Sequence, residues 1–337
     1  MTMAEPQTTR GPVSTLSEIA QALRDSPKVV VASHENPDGD AIGSVRSAGL
    51  ILEAIGCDVV TYVPGAVLPA EYQFIAPDAI TDVPPADLSE RTLLALDCGN
   101  ALRLACPELL SGAARVLNID HHADNTHFGD LNVVAGLASC TTQLVRDLAR
   151  ELGVELTPKI ATAIYVGLVT DTGRFQYSNT TADSLHLAAE LVEAGTEVHE
   201  IFREVYECVE YPRLKLLARG LEHAHRYASN RIIVTHLTRR DFIDAEADDD
   251  AAEGVVDFLR GVEGTDLALF VRDLEDPSAK GARKGSLRTT RDDVDVSAIA
   301  RIWNGGGHRQ AAGFSTDDSM DVIIKRVVEA HAVQRGQ

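Results

Sequence analysis

The sequence predicts an α/β protein: a parallel-sheet N-terminal domain with flanking helices, joined by a helical linker to a smaller α/β domain. Three observations carry that expectation. Short β-branched apolar runs alternate with stretches of helical periodicity, which is the rhythm of a parallel sheet. A chain of 337 residues has room for two ordinary domains. A second series of strand-like runs begins at RIIVTHLT (231–238), beyond a long helical stretch.

The elements follow in order. Residues 1–13 are polar, and STLSEIAQALR (14–24) reads as a helix opened by Ser or Thr caps. KVVVAS (28–33) has the length and β-branching of a buried strand. A polar loop leads to AIGSVRSAGLILEAIG (41–56), helical in its spacing and closed by Gly56. CDVVTYV (57–63), TLLALD (92–97) and ARVLNID (114–120) read as further strands, the last two ending in Asp97 and Asp120. TTQLVRDLARELG (141–153) is a helix, and KIATAIYVGLVTDTG (159–173) carries an apolar stretch ending at Asp171. Residues 180–226 look helical throughout, with a break at Tyr211-Pro212 before a connecting helix. DLALFVRDLE (266–275) and KGSLRTT (284–290) read as strands, VSAIARIW (296–303) as a helix, and Asn304–His308 as a glycine loop. The expected domains are 1–205 and 229–337, with 206–228 as the linker.

Composition narrows the function. The formal charge of −20 argues against a coat on duplex nucleic acid, because such binding is driven by cationic side chains displacing counterions. It leaves room for a short anionic ligand held by a local positive charge such as a metal ion. No run approaches the roughly 18–20 apolar residues of a membrane helix, and MTMAEPQTTRGPVS lacks the basic start and apolar core of a signal peptide. Five cysteines with no C-x-x-C pair read as reduced thiols, and the expected compartment is the cytoplasm.

Titratable residues recur where apolar runs stop. His34, Asp38 and Asp40 sit in H-E-N-P-D-G-D directly after the first strand, on a turn that Pro37 and Gly39 permit. Carboxylates attract hard divalent cations, and an admixed imidazole moves the preference from magnesium toward manganese. Asp40 alternatively serves only as the cap of the next helix. Asp97 ends another strand; alone it reads as a cap or turn residue. In I-D-H-H the adjacent His121 and His122 point in different directions, so one can bind metal while the other faces substrate. Asp171 follows a further apolar run. Asp38, Asp40, Asp97 and Asp171 carry four negative charges, which two divalent ions would cancel. Such a metal pair is the usual device for directing water at a phosphorus centre. Between Lys280 and Arg309 stand seven basic and three acidic residues, and within this patch Arg288 and the Gly305–His308 run offer donors for phosphate.

His34-x-x-x-Asp38-x-Asp40, Asp97, Asp120-His121-His122 and Asp171-Thr172-Gly173, in that order, resemble the four motifs of the DHH phosphoesterases. Gly305-Gly306-Gly307-His308 followed by Q-A-A-G-F resembles the DHHA1 substrate-binding domain. The likeness spans roughly residues 15–330, and its nearest group is the stand-alone nanoRNA hydrolases and pAp phosphatases, together with cyclic di-AMP and pApA phosphodiesterases. It implies an active site in the cleft between the two domains. His34, Asp38 and Asp97 would ligate one manganese. Asp40, Asp97, His121 and Asp171 would ligate a second, with Asp97 bridging; Mg²⁺ or Co²⁺ are the expected substitutes. His122 would face the scissile phosphate. Arg288, Asn304, Gly305, Gly306, Gly307 and His308 would hold the far nucleotide. Asn304 stands where the family loop often has another glycine, and Gln143 where relatives commonly carry a glutamate. Both departures bear on substrate preference and leave the proposed ligands untouched.

The resulting expectation is a manganese-dependent phosphodiesterase that cuts very short oligoribonucleotides to 5′-mononucleotides and also acts on pAp. The alternatives are a cyclic di-AMP phosphodiesterase of the same family and, from another class, a catalytically silent nucleotide-binding regulator. Relatives of this group are often homodimers, and the same is expected here, with no duplex nucleic acid or membrane as partner.

Overall fold

A computed structural model describes residues 11–65, 68–76, 80–252, 254–275 and 281–336. The first ten residues and Lys280 lie outside the described residues. The chain divides into two compact units, Met1–Cys208 and Val209–Gln337.

The first unit runs α1 (Leu16–Arg24), β1 (Lys28–Ala32), α2 (Gly39–Ala54), β2 (Asp58–Tyr62), β3 (Ile80–Thr81), β4 (Thr92–Leu96), α3 (Pro107–Gly112), β5 (Arg115–Asp120), β6 (Leu131–Val134), α4 (Thr141–Leu152), α5 (Pro158–Asp171), α6 (Ala182–Glu193) and α7 (Val198–Tyr206). Thr15 opens α1 with a capping box, its hydroxyl taking the Glu18 N–H while Glu18 reaches back. The six strands form one sheet in the order β3-β2-β1-β4-β5-β6, every pair parallel.

The unbroken apolar runs have a physical reason, since both sheet faces are covered. Val29, Val31, Leu94, Leu96, Leu117 and Ile119 enter one core with α1, α2, α4 and α5. The alternate residues Val30, Ala32, Leu93, Ala95 and Val116 enter a second core on the other face. The order of strands reverses at β1, whose neighbours are β2 and β4, and a ligand crevice is expected beyond the carboxyl ends at such a point. There the Ser33 hydroxyl donates to the Leu96 carbonyl at 2.8 Å and ties the two strand ends together.

The second unit runs α8 (Tyr211–Glu222), β7 (His225–Tyr227), β8 (Ile232–Leu237), α9 (Arg239–Ala245), α10 (Val255–Arg260), β9 (Leu267–Asp273), β10 (Arg283–Arg288), α11 (Val296–Ala300), β11 (Gly306–His308), β12 (Ala311–Thr316) and α12 (Met320–Gln334). Its sheet has the order β11-β12-β10-β9-β8-β7, with β8 and β9 parallel and the remaining pairs antiparallel. The two faces again carry separate cores, one around Ile232, Leu269 and Phe314 and one around Leu216, Phe242 and Phe270.

Two expectations need correction. The helical reading of 206–228 holds for Tyr211–Glu222 and fails at His225–Tyr227. α7 stops at Tyr206, α8 buries Leu216 in a core of the second unit, and His225–Tyr227 pairs with β8 as a strand. The break read at Tyr211-Pro212 falls where α8 begins, with Pro212 in a first turn that needs no N–H there. The glycine run is likewise not a free loop: Gly306, Gly307 and His308 pair with Gly313, Ala312 and Ala311 as an edge strand. Among the described residues no helix is long and apolar enough to cross a membrane.

Candidate metal centre

The chemistry-bearing side chains of the first unit gather at the carboxyl ends of β1, β4 and β5. His34 follows β1 and is buried, its Nδ1 2.8 Å from the Glu35 carbonyl. A proton on Nδ1 satisfies that carbonyl and leaves the Nε2 lone pair facing Asp97 Oδ2, 3.5 Å away. Burial holds the His34 imidazole below its ordinary value, which keeps it neutral as a ligand must be. The turn does not work as the glycine and proline suggest. Asn36 supplies its left-handed residue, with φ 52°, while Gly39 begins α2 and gives room to Thr170, whose Oγ1 would lie 2.4 Å from a Cβ.

Asp38, not Asp40, caps α2: its Oδ1 accepts the N–H groups of Asp40 and Ala41, each at 3.1 Å. Asp40 is buried and caps a different helix. Its carboxylate accepts Thr141 N–H at 2.6 Å and Thr142 N–H at 3.0 Å, at the amino end of α4. Asp97 follows β4 in the left-handed region, φ 55°, a conformation costly for a non-glycine residue and frequent at functional sites. Thr141 Oγ1 donates to its Oδ1 at 3.0 Å.

His121 and His122 diverge as their chain neighbourhood requires, with ring planes 60° apart. His121 Nε2 lies 3.7 Å from Asp97 Oδ1, 3.6 Å from Asp171 Oδ2 and 4.0 Å from Asp40 Oδ2. His122 Nδ1 lies 2.8 Å from Asp120 Oδ1, and that hydrogen bond raises its basicity. The apolar stretch before Asp171 is the helix α5, and Asp171 Oδ2 is buried without a hydrogen-bond partner. Burial followed by the Asp40 and Asp38 charges pushes Asp171 up to about 8, and the same causes, burial first and then Asp40, raise Asp97.

This donor set fits divalent cations. Repelling, desolvated carboxylates and an orphaned buried oxygen are what a dication relieves. Three groups place one donor atom from each member within 4.8 Å: His34, Asp38 and Asp97; Asp40, His121 and Asp171; Asp97, His121 and His122. Asp97 turns Oδ2 toward His34 and Oδ1 toward His121, so one carboxylate faces both of the first two sets.

The second unit holds a cavity of 540 Å³ lined by Arg288, Gly306 and Gly307, as the sequence suggested, and also by Arg213, Arg272 and Lys284. Phe270 and Ser286 line it too, and Asp257 stands 3.7 Å from Arg288. Asn304, Gly305 and His308 are not among its lining residues. Asn304 closes a 3₁₀ turn at φ 56°, a left-handed position that asparagine tolerates. A Cβ on Gly305 would lie 2.3 Å from the Gly313 carbonyl, so this glycine permits close strand packing. Lys284 belongs to the basic patch read from the sequence, whereas Arg213 and Arg272 went unrecognised because local patterning does not reveal which elements pack side by side.

The model of the DHH family N-terminal domain matches residues 28–168, and that of the DHHA1 domain matches residues 229–331. A Thermus thermophilus protein named bifunctional oligoribonuclease and PAP phosphatase NrnA is 34% identical over 321 residues, covering 94% of this chain and 92% of the relative. The chain belongs to the DHH family. The Bacillus subtilis protein of the same name is 25% identical to this DHH protein over 305 residues, covering 89% of the chain and 92% of the relative. Among solved structures, an exopolyphosphatase-related protein from Bacteroides fragilis superposes with a TM-score of 0.80 at 24% identity, covering 95% and 96% of the two chains. A RecJ exonuclease bound to manganese superposes at 0.53 with 18% identity, covering 96% of each. At these identities the structural likenesses speak for the fold.

Sequence reasoning missed two supporting groups of this DHH centre. Asp120 orients His122 and is itself held by Asn125 Nδ2 at 2.6 Å. Thr141 serves Asp40 through its backbone and Asp97 through its hydroxyl. Asp120 was visible beside the histidines, but nothing local distinguishes an orienting carboxylate from a ligand.

Proposed function

We propose that this chain, a phosphoric ester hydrolase of the DHH family, is a manganese-dependent phosphodiesterase. Its substrates are very short oligoribonucleotides such as pApA, cut to 5′-mononucleotides, and it also removes the 3′-phosphate of pAp. The observation that carries this reading is the convergence of His34, Asp38, Asp40, Asp97, His121 and Asp171 into two donor groups facing one shared aspartate. The near end-to-end match with a relative named for oligoribonuclease and PAP phosphatase activity supports the substrate class.

Two divalent ions held by these residues would supply a water deprotonated near neutral pH and positive charge for the phosphoryl oxygens. His34, Asp38 and Asp97 would hold the first, and Asp40, Asp97, His121 and Asp171 the second. Two imidazoles among the donors favour manganese over magnesium. Asp120 keeps a proton on His122 Nδ1, so Nε2 is the nitrogen that donates to a phosphoryl oxygen or to the departing 3′ alkoxide. Asp40, which caps α4, and Asp97, held by Thr141, would meet the ions already oriented, which lowers the ordering cost of reaction.

The test is hydrolysis by the manganese-loaded protein of pApA, pAp, cyclic di-AMP and a 24-mer RNA in one buffer. The expected order of kcat/KM puts pApA first and the 24-mer last, and Asp97→Asn abolishes turnover while the far-UV spectrum is unchanged. Efficient degradation of the 24-mer refutes the short-substrate reading. Preference for cyclic di-AMP moves the chain to the sibling activity, and no cleavage of any of the four makes it a binding protein.

A further inference from the structure

The donor group Asp40, His121 and Asp171 draws its members from three separate parts of the chain. An ion of fixed size needs its donor atoms placed to within about 0.2 Å. The turn Ala138–Thr142, which leads into α4, touches three of the four ligands assigned to the second ion. The Ala138 carbonyl lies 3.4 Å from His121 Nδ1. The N–H groups of Thr141 and Thr142 hold the two oxygens of Asp40 at 2.6 and 3.0 Å, and Thr141 Oγ1 donates to Asp97 at 3.0 Å. Asp171 is the exception. Its Oδ2 is buried with no hydrogen-bond partner, so its place depends on how the backbone at the end of α5 is held.

That hold comes from Asn179. The chain leaves α5 through Gly173, Arg174 and Phe175, all left-handed at φ 55°, 62° and 63°. It folds back as the Gln176 and Tyr177 N–H groups reach the Thr172 carbonyl, each at 3.0 Å. Asn179 Nδ2 then donates to the Asp171 carbonyl at 3.1 Å and to the Ser139 carbonyl at 3.0 Å. Ser139 completes the brace: its hydroxyl donates to the Asn179 carbonyl at 2.7 Å, and its N–H is taken by Gln143 Oε1 at 3.1 Å. A primary amide suits this bridge because one nitrogen carries two protons, whereas a hydroxyl has one and a carboxylate none. The opposite amide orientation would set Oδ1 against two carbonyl oxygens, so the contacts themselves fix which way Asn179 points.

We propose that Asn179 is a positioning residue of the metal centre. By bridging the Asp171 and Ser139 carbonyls it sets the distance of Asp171 from Asp40 and His121, and with it the affinity for the second ion. The inference rests on the two-ion reading above. His34 and Asp38 take their hydrogen bonds from Glu35 and from α2, so the first ion should be unaffected.

The experiment titrates full-length metal-free protein with Mn²⁺ in a calorimeter and follows the bound ions by low-temperature electron paramagnetic resonance. It compares wild type and Asn179→Ala with two references, Asp171→Asn and Asp38→Asn. Wild type takes up two ions and shows the spin-coupled spectrum of a manganese pair. In Asn179→Ala the second ion binds at least about tenfold more weakly while the first stays within about twofold of wild type. The coupled spectrum gives way to that of an isolated ion, and the isotherm follows Asp171→Asn rather than Asp38→Asn. Proportional weakening of both ions, no weakening, or an isotherm like that of Asp38→Asn overturns the assignment. If Asn179→Ala does not fold by far-UV circular dichroism, Ser139→Ala takes its place, since it removes only the hydroxyl half of the brace. A loss of about threefold confined to the second ion then supports the inference, and unchanged affinity refutes it. If wild type binds fewer than two ions, the two-ion reading fails and takes this inference with it. Two ions held with wild-type affinity in the variant leave that reading standing and refute the role of Asn179 alone.

Discussion

Replacing Gly167 by alanine sets helix propensity directly against the geometry that assembles the centre. Gly167 lies inside α5, where alanine is favoured over glycine by about 1 kcal/mol. Its missing Cβ would sit 2.5 Å from Thr142 Cγ2, 2.6 Å from Thr142 Oγ1 and 2.7 Å from Asp40 Oδ1. Neither neighbour can yield cheaply. Thr142 is fully buried and its N–H holds Asp40 at 3.0 Å, while the other Asp40 oxygen is held by Thr141. α2 presses from the same side, since a Cβ on Gly43 would lie 2.4 Å from the Ala163 carbonyl. Overpacking costs about 1–3 kcal/mol, and disturbing a charge-assisted hydrogen bond to Asp40 adds about 1.5–3 kcal/mol. The net expectation is a loss of about 1.5–5 kcal/mol after the propensity gain. Urea unfolding of the metal-free protein followed by far-UV circular dichroism measures the stability. Calorimetric titration with Mn²⁺ measures the second consequence, a weakening of at least about tenfold because Asp40 is displaced. An unchanged or increased stability with intact Mn²⁺ affinity would show that propensity wins, and the close crossing of α2 on α5 would be wrong.

Asp120→Asn should keep Mn²⁺ affinity within about threefold yet lower kcat by about 10²–10³-fold, since His122 loses the group that fixes its proton; stopped-flow product release and metal titration separate the two effects. Arg91→Ala should cost about 1–3 kcal/mol, because the buried guanidinium donates to Asp87 at 2.7 Å, Asp58 at 2.8 Å and the Asp58 carbonyl at 3.0 Å. The same variant should alter acid behaviour. Hydrogen bonds from Arg91 and then Lys28 draw Asp87 down to about 2, so its contribution is present above the ordinary value of 3.8 and disappears as the pH falls toward 2. Wild type should therefore lose more stability than the variant between pH 5 and pH 3 in urea titrations, and equal losses would contradict the assignment. Gly261→Ala should raise stability by about 0.4–1 kcal/mol, as this residue has ordinary helical angles and only the Phe258 carbonyl, 3.9 Å away, near its missing Cβ.

The local elements of the first unit were readable because hydrophobic periodicity is a local signal. KVVVA, TLLAL and RVLNID are strands, and each ends beside a residue of the centre. The family motifs likewise named His34, Asp38, Asp40, Asp97, His121 and Asp171 from chain order alone. Where sequence reasoning went astray, a non-local partner decided the outcome. HAHRYA continues a helical pattern, yet His225–Tyr227 pairs with β8 as a strand. N-G-G-G-H reads as flexible, yet three of its residues hydrogen-bond to β12. The strand β6 and the long helix α12 passed unnoticed, the first for its brevity and the second for the weak amphipathicity of a helix only partly buried.

The sequence by itself determined the kinds of donor atoms and their order along the chain, since carboxylates and imidazoles keep their chemistry wherever they fold. Tertiary structure alone decided what each donor does. Asp38 caps its own helix, whereas Asp40, two residues on, caps α4 from α2, a contact across a hundred residues that no local rule contains. Asp97 presents one oxygen to His34 and the other to His121 only because β1, β4 and β5 lie side by side. Those roles depend on distances set by strand pairing and by the close crossing of α2 and α5, where two glycines let the backbones approach.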